Sequence, residues 1–300
     1  MNNEITPAVV YGTNGFTFEY AGGRLSRRPV PLPVPPPPSA GPVNSAENVE
    51  KMAVAGKAIA AALSAAQTAV QQGERSTLAL EELAQAVLAQ HGCKPSFQGY
   101  QPPFSTEPYA FATCISVNAE VVHGMPSAAK ILAEGDIVTV DLGANFEGWH
   151  ADAAISFGVG PINSAANNLL VTTKNALKEG VKKARVGHTI GDVSRAVYEY
   201  SIRHGFRPAL GLTGHFIGQS VHMDPSVPNV PPHPLAYDMP LVAGMTFCIE
   251  PMLCIGSAEV DVDADRWTIR TKDGGLSAHF EHTVHVEPKG APARVLTRTA

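Results

Sequence analysis

The tightest constraint in this 300-residue chain is a pair of aspartates, Asp141 and Asp152, carried by two strand-like runs on either side of a short turn. The first run reads Ile-Val-Thr-Val-Asp-Leu-Gly and ends at Gly143. The second reads Trp-His-Ala-Asp-Ala-Ala-Ile-Ser-Phe and starts at Trp149. Two such runs close into an antiparallel hairpin. With the turn centred between Phe146 and Glu147, Asp141 is expected directly opposite Asp152, Cβ atoms roughly 4.5–5.5 Å apart on one face. Like charges so placed repel. The pair is tolerated when a proton is shared or a cation lies between the carboxylates, and hard divalent ions are the usual solution.

The rest of the composition is that of a globular chain. Hydrophobic residues make up 44% and charged residues 16%, enough for a sizeable core in one large domain or two ordinary ones. No run of about 18 apolar residues stands out, so a membrane span is not expected. The start, Met1 to Pro7, has neither a basic region nor an apolar stretch, which makes the cytoplasm the expected compartment. Cys93, Cys114, Cys248 and Cys254 show no Cys-x-x-Cys spacing and are expected to be free thiols. A net charge of −5 without a basic block argues against a nucleic-acid partner.

Residues 1–42 differ from the rest of the chain. Arg27-Arg28 precedes a tract from Pro29 to Pro38 that favours polyproline II and builds no core, so this extension is expected to be a tail or semi-rigid spacer. A docking role for an aromatic-lined groove is the alternative, although the arginines do not fall at the spacing of a basic ligand of that kind. The remaining residues, 43–300, are expected to form the working domain. Helices are predicted from Ala46 to about Gln72, Thr77 to Gln90, Ala165 to Lys183 and Ile190 to His204, the second and fourth followed by Gly92 and Gly205. Residues 112–157 read as strands, as do runs near 214–222, 244–254, 266–271 and 278–287. This order suggests an α+β domain of two similar halves, helices covering one face of an antiparallel sheet.

Three later segments bear on the aspartate pair. His215 and His222 lie seven apart in an apolar context, Glu250 ends the run Met-Thr-Phe-Cys-Ile-Glu, and Glu281 lies in Leu-Ser-Ala-His-Phe-Glu-His. Each has a bland reading: His222 as a hydrogen-bonded core histidine, Glu250 as a strand end at the surface. Together they are harder to dismiss, because isolated charges in apolar strands are costly to bury. Asp141, Asp152, Glu250 and Glu281 sum to four negative charges, which two divalent cations would balance, and paired metals bridged by carboxylates activate water for hydrolysis.

At these residues the chain resembles the type I methionine aminopeptidases of the pita-bread metallopeptidase superfamily, over almost all of residues 45–290. The motifs run from Cys114 through Asn118 and His123-Gly-Met-Pro126, Asp136 to Asp141, His150-Ala-Asp152, Gly214-His215 with His222, Met245 to Met252, and Trp267 to Asp273, ending at Glu281-His-Thr-Val284. The resemblance implies a pseudo-two-fold antiparallel sheet with helices on one face. It implies that Asp141 chelates one metal, that Asp152 and Glu281 bridge two, and that His215 and Glu250 complete the set. Glu250 would shuttle a proton, while His123 and His222 would contact the scissile amide. Tyr109, Cys114 and Trp267 resemble the lining of a methionine pocket, with Phe216 at the substrate rim. The metals would be Co, Mn, Fe or Zn, and the partners peptide or nascent-chain N-termini.

Three departures from the family pattern stand out: Phe216 where glycine is usual, Ala110 after Tyr109 where proline is usual, and Met223 where glutamate is usual. They leave open a paralogue acting on another N-terminal amide. An X-Pro hydrolase of the prolidase or aminopeptidase P type shares the five ligands, and a metal-free binding module shares the fold.

Overall fold

A computed structural model describes residues 9–12, 16–21, 24–28, 41–102, 107–231 and 239–298. The proline tract at 29–38 and its proposed docking role lie outside the described residues. Upstream of it the extension is more regular than expected: Val9–Gly12, Phe16–Ala21 and Arg24–Arg28 form a three-stranded antiparallel sheet.

Four helices begin where the chain supplies a cap. In α1 (Ala46–Gln71) and α2 (Thr77–Gln90), the hydroxyls of Ser45 and Ser76 accept from the amides of Asn48 and Ala79. In α3 (Ser164–Lys183), Asn163 does the same for Ala166, and α4 (Ile190–Arg203) opens on a capping box between Thr189 and Asp192. Such caps satisfy amides that have no partner within the helix, for about 1 kcal/mol each. Contrary to expectation, α1 contains an 18-residue window of mean hydropathy 1.3, long and apolar enough to cross a membrane by length and composition. In this fold that helix is a core element. Its Ala55, Ala58, Ile59, Ala62, Leu63 and Ala66 are buried with Val138, Val140, Leu142 and Ala153 of the aspartate hairpin.

Two layered halves result. In the first, α1 and α2 cover Thr113–Val117, Ile137–Phe146 and Trp149–Gly158. In the second, α3 and α4 cover a five-stranded sheet in the order 223–228, 213–216, 246–249, 282–285, 294–295, and every strand pairing described is antiparallel. Close approach requires small residues. A Cβ on Gly214 would stand 2.3 Å from the carbonyl oxygen of Cys248 on the neighbouring strand.

The hairpin register corrects the expected one. Phe146 pairs with Trp149 across a two-residue turn, Asp141 faces Ala154, and Asp152 faces Gly143. Glu147 and Gly148 carry φ of 50° and 85°, the left-handed values that a type I′ turn needs at both central positions. The turn therefore centres one residue later than expected, which slides the pairing by two. Because side chains alternate with a period of two, the aspartates keep the same face but meet diagonally.

The second half is joined to the segment before α1. Val43 bridges Met245, Asn44 N donates to Gly244 O at 2.9 Å, and Asn44 Nδ2 donates to Thr246 Oγ1 at 2.6 Å. Deleting residues 1–40 is expected to leave the unfolding midpoint unchanged. Deleting through Ser45 also removes two hydrogen bonds and a helix cap, and is expected to cost about 2–3 kcal/mol in urea unfolding. Equal stability of the two truncations would contradict this.

Candidate metal centre

The site lies where the halves meet. The first half brings Asp141 and Asp152 on its hairpin. The second brings Glu250, just past the strand Thr246–Ile249, and Glu281, just before the strand His282–His285. The pairings Ile249 with His282 and Met252 with His279 bracket these glutamates, so the two face each other where the strands pass from one sheet to the next. Pro251 has no N–H to donate, which suits such a break. The halves are clipped together beside the site: Asp152 N donates to Thr283 Oγ1 and Thr283 Oγ1 to Asp152 O, both at 2.8 Å, while Glu281 N donates to Ala154 O at 2.9 Å.

All four carboxylates are buried, with Asp152 and Glu281 each 2% exposed. Ligand atoms of Asp141, Asp152 and Glu281 lie within 4.8 Å of one another, as do those of Glu250, His279 and Glu281. Among the described residues, no lysine or arginine forms an ion pair with any of them. Oδ1 of Asp141, Oδ1 of Asp152 and Oε1 of Glu281 have no hydrogen-bond partner among the described residues. Glu81 shows what a structural buried carboxylate looks like in the same protein. It accepts from Gln85 Nε2 at 2.6 Å, Ala112 N at 2.7 Å, Thr113 N at 2.8 Å and Thr113 Oγ1 at 2.5 Å. The orphaned oxygens of the cluster are those of a cation site, and their mixture with imidazole suits a divalent metal.

Electrostatics agree. Burial pushes the Asp141 carboxyl up to about 8. Asp152 is driven well above its ordinary range by burial, then by the charges of Glu281 and Asp141. Glu250 and Glu281 rise for the same reasons. Each group needs either a proton or a nearby cation.

Histidines line the same space. His215 Nδ1 donates to Phe216 O at 3.0 Å, which leaves Nε2 with its lone pair, 3.5 Å from Glu250 Oε1. The loop between the strands Thr213–Phe216 and Met223–Pro228 folds His222 back against His215, ring centroids 4.4 Å apart, and a donor atom of each lies within 4.8 Å of Asp152. His123, at φ 60°, faces Trp267 edge-on with centroids 6.5 Å apart. Burial holds His123 and His215 neutral, lowering both to about 4.

Tyr109, Cys114 and Trp267 share one apolar cluster with Phe97, Ile217 and Cys248. Tyr109 and Trp267 meet edge-to-face at 5.0 Å, and the Tyr109 hydroxyl donates to Thr113 O at 3.0 Å. Cys114 is the strand partner of Asp141, so this cluster adjoins the carboxylates.

Phe216 does not stand where it was expected. It is fully buried and packs on Phe247, centroids 5.2 Å apart, because alternation along the strand turns it away from the face that carries His215. Its ring occupies the space a Cβ on Gly41 would need, 2.4 Å away. Met223 packs against the same core, while Ala110 is exposed. Two neighbours of the site were not anticipated. His279 precedes Glu281 by two, a strand spacing that puts both on one face and was legible in the sequence. Tyr100, whose ring lies 4.8 Å from His222, carried no such signal.

The profile of metallopeptidase family M24 matches residues 50–288. A methionine aminopeptidase of Aquifex aeolicus is 42% identical over 246 residues, 82% of this chain and 95% of that protein. The crystal structure of a methionine aminopeptidase from Thermotoga maritima superposes with a TM-score of 0.79 at 36% identity, covering 86% of this chain and all of that one. The prolidase of Pyrococcus furiosus, at 20% identity and TM-score 0.65, covers 86% of this chain and 66% of its own, and shares the fold alone. The chain belongs to the M24 metallopeptidases, and its α+β architecture is the pita-bread fold of that family.

A metal must displace the proton that burial places on Asp141. Below about 8 that carboxyl is protonated in the metal-free protein, so lowering the pH weakens binding and raising it strengthens binding. Calorimetric titration with Mn²⁺ at pH 6 and pH 7.5 is expected to show affinity rising about tenfold per pH unit for each proton displaced. An affinity independent of pH would contradict a proton-bearing carboxylate cluster.

Proposed function

We propose that this protein is a dinuclear-metal aminopeptidase that removes N-terminal methionine from peptides whose second residue is small. The observation that carries this reading is the adjacency of an apolar, sulfur-containing cluster to buried carboxylates, among them Asp141, Asp152 and Glu281 with oxygens that lack partners among the described residues. The family membership and the curated relatives named methionine aminopeptidase support it.

Asp141, Asp152, His215, Glu250 and Glu281 would hold the metals. Bound there, two divalent ions supply an acidified water and polarise the scissile carbonyl. The remaining steps belong to side chains. Tyr109, Cys114 and Trp267 hold the thioether of methionine, for which a soft, apolar lining is suited. His123, beside Trp267, and His222, beside His215, contact the scissile amide as neutral imidazoles able to donate to the oxygen that gains charge. Glu250 carries the proton from water to the leaving amine, a role that fits a carboxylate with an imidazole facing each oxygen. The substrates would be peptide and nascent-chain N-termini, and cytoplasmic residence is part of the same proposal.

The competing readings lose ground on particular observations. Phe216 suggested a paralogue with a changed substrate rim, and its ring lies in the core instead. Prolidases match at 20% identity, against 42% for methionine aminopeptidases. A binding module would not need the five-residue donor set, which is complete.

With Mn, Co or Fe added, the purified protein is expected to cleave Met-Ala-Ser rapidly and to spare Leu-Ala-Ser and Ala-Pro-Ala. Rapid cleavage of Ala-Pro-Ala would move the protein to the X-Pro branch. Asp152→Ala and Glu281→Ala are each expected to lower turnover by more than about 100-fold and to reduce bound metal, since even residues that only orient a ligand cost about 10–100-fold. Full activity in either variant would reject a shared two-metal site.

A further inference from the structure

We infer that His279 is an additional imidazole donor of the metal centre, the counterpart of His215 on the other side of Glu250. The inference rests on the metal-centre reading of the site and extends its donor set. His279 is 1% exposed, and among the described residues neither of its ring nitrogens has a hydrogen-bond partner. A buried imidazole with both nitrogens idle forfeits the hydrogen bonds it would make in water, a cost that a bound cation removes.

The backbone fixes where the ring points. His279 N donates to Ser156 Oγ at 2.8 Å, Ser156 Oγ donates to His279 O at 2.7 Å, and His279 pairs with Met252 across the strands. Two residues before Glu281 on an extended chain, it shares that residue's face. Nε2 then lies 3.6 Å from Glu250 Oε2 and 3.9 Å from Glu281 Oε2. Both distances exceed a hydrogen bond. They match the spacing of donors around one cation, since ligands about 2.0–2.2 Å from a metal stand roughly 3–4 Å from each other. His215 Nε2 bears the same relation to the other oxygen of Glu250, at 3.5 Å. Glu250, His279 and Glu281 therefore form a compact donor triad, their ligand atoms within 4.8 Å of one another.

The test uses the full chain loaded with Zn²⁺ or Co²⁺. X-ray absorption should count two imidazole nitrogens per metal pair in the wild type and one in His279→Gln and His279→Ala. Competition titration should show at least a tenfold loss of affinity for one metal equivalent in both variants, and circular dichroism of the metal-free proteins checks that each is folded. One imidazole per pair in the wild type, or unchanged affinity in either folded variant, overturns the inference. Wild-type affinity restored by glutamine alone would show a hydrogen-bonding residue and also overturns it. A wild type that binds no divalent metal would instead reject the metal-centre reading itself.

Discussion

Four buried carboxylates without a lysine or arginine among their ion-pair partners set the terms for the rest of this structure. Each pair of strands could keep two acids at its surface at little cost. Bringing both pairs together in a dry interior is a different matter, because burial and mutual repulsion both oppose the charged state. The remainder of the fold supplies what holds such an arrangement. Helices α1 and α2 press on the aspartate hairpin from behind, and α3 and α4 press on the sheet of the glutamates. Helix α1 also packs across the seam, where its Val49, Met52 and Ala53 share a cluster with Ile217 and Cys248 of the second half. The charge is left to a ligand, which places metal binding and stability in linkage: a cation that binds only the folded state stabilises it by mass action.

Hydroxyls do the fine positioning. Thr283 is bonded in both directions to the backbone of Asp152, and Ser156 in both directions to the backbone of His279, with Thr139 Oγ1 on Ser156 Oγ at 2.6 Å. Thr283 and Ser156 each join a strand of one half to a strand of the other. Side-chain bonds of this kind fix register across an interface that has no continuous ladder of its own, and so fix which carboxylates meet.

Much of this was legible in the sequence, for reasons that differ by element. Helix starts were readable because Ser45, Ser76, Asn163 and Thr189 cap locally, with no need of tertiary context. The carboxylates were readable because an acid held in an apolar strand needs a proton or a cation to be buried there. Features that depend on pairing were hidden. The hairpin register turned on the left-handed backbone of Glu147, a conformation that residue adopts with Gly148 beside it. The long run expected at 214–222 broke after Phe216, where a bulge between His215 and Phe216 shifts the pairing and the chain folds back to bring His222 onto His215. His279 lies between these cases: alternation from Glu281 puts it on the carboxylate face, but only the fold shows that its ring nitrogens lack partners among the described residues.

Phe216 illustrates why a residue next to a histidine of the site need not line the site itself. Adjacent positions on a strand face opposite ways, so a change beside His215 falls on the core side, where the constraint is volume. The ring fills space against Phe247, and Gly41 provides the clearance that any larger residue would remove. The segment from Gly41 to Asn44 is in turn bonded to Gly244 and Thr246, and Thr246 Oγ1 donates to Ile217 O at 2.6 Å, on the loop that leads to His222. The departure from the family pattern at this position therefore belongs to the attachment between the segment preceding α1 and the histidine loop. Tyr109, Cys114 and Trp267 lie in a different cluster from Phe216, but one that includes Ile217, so the attachment reaches them through the residue that follows Phe216.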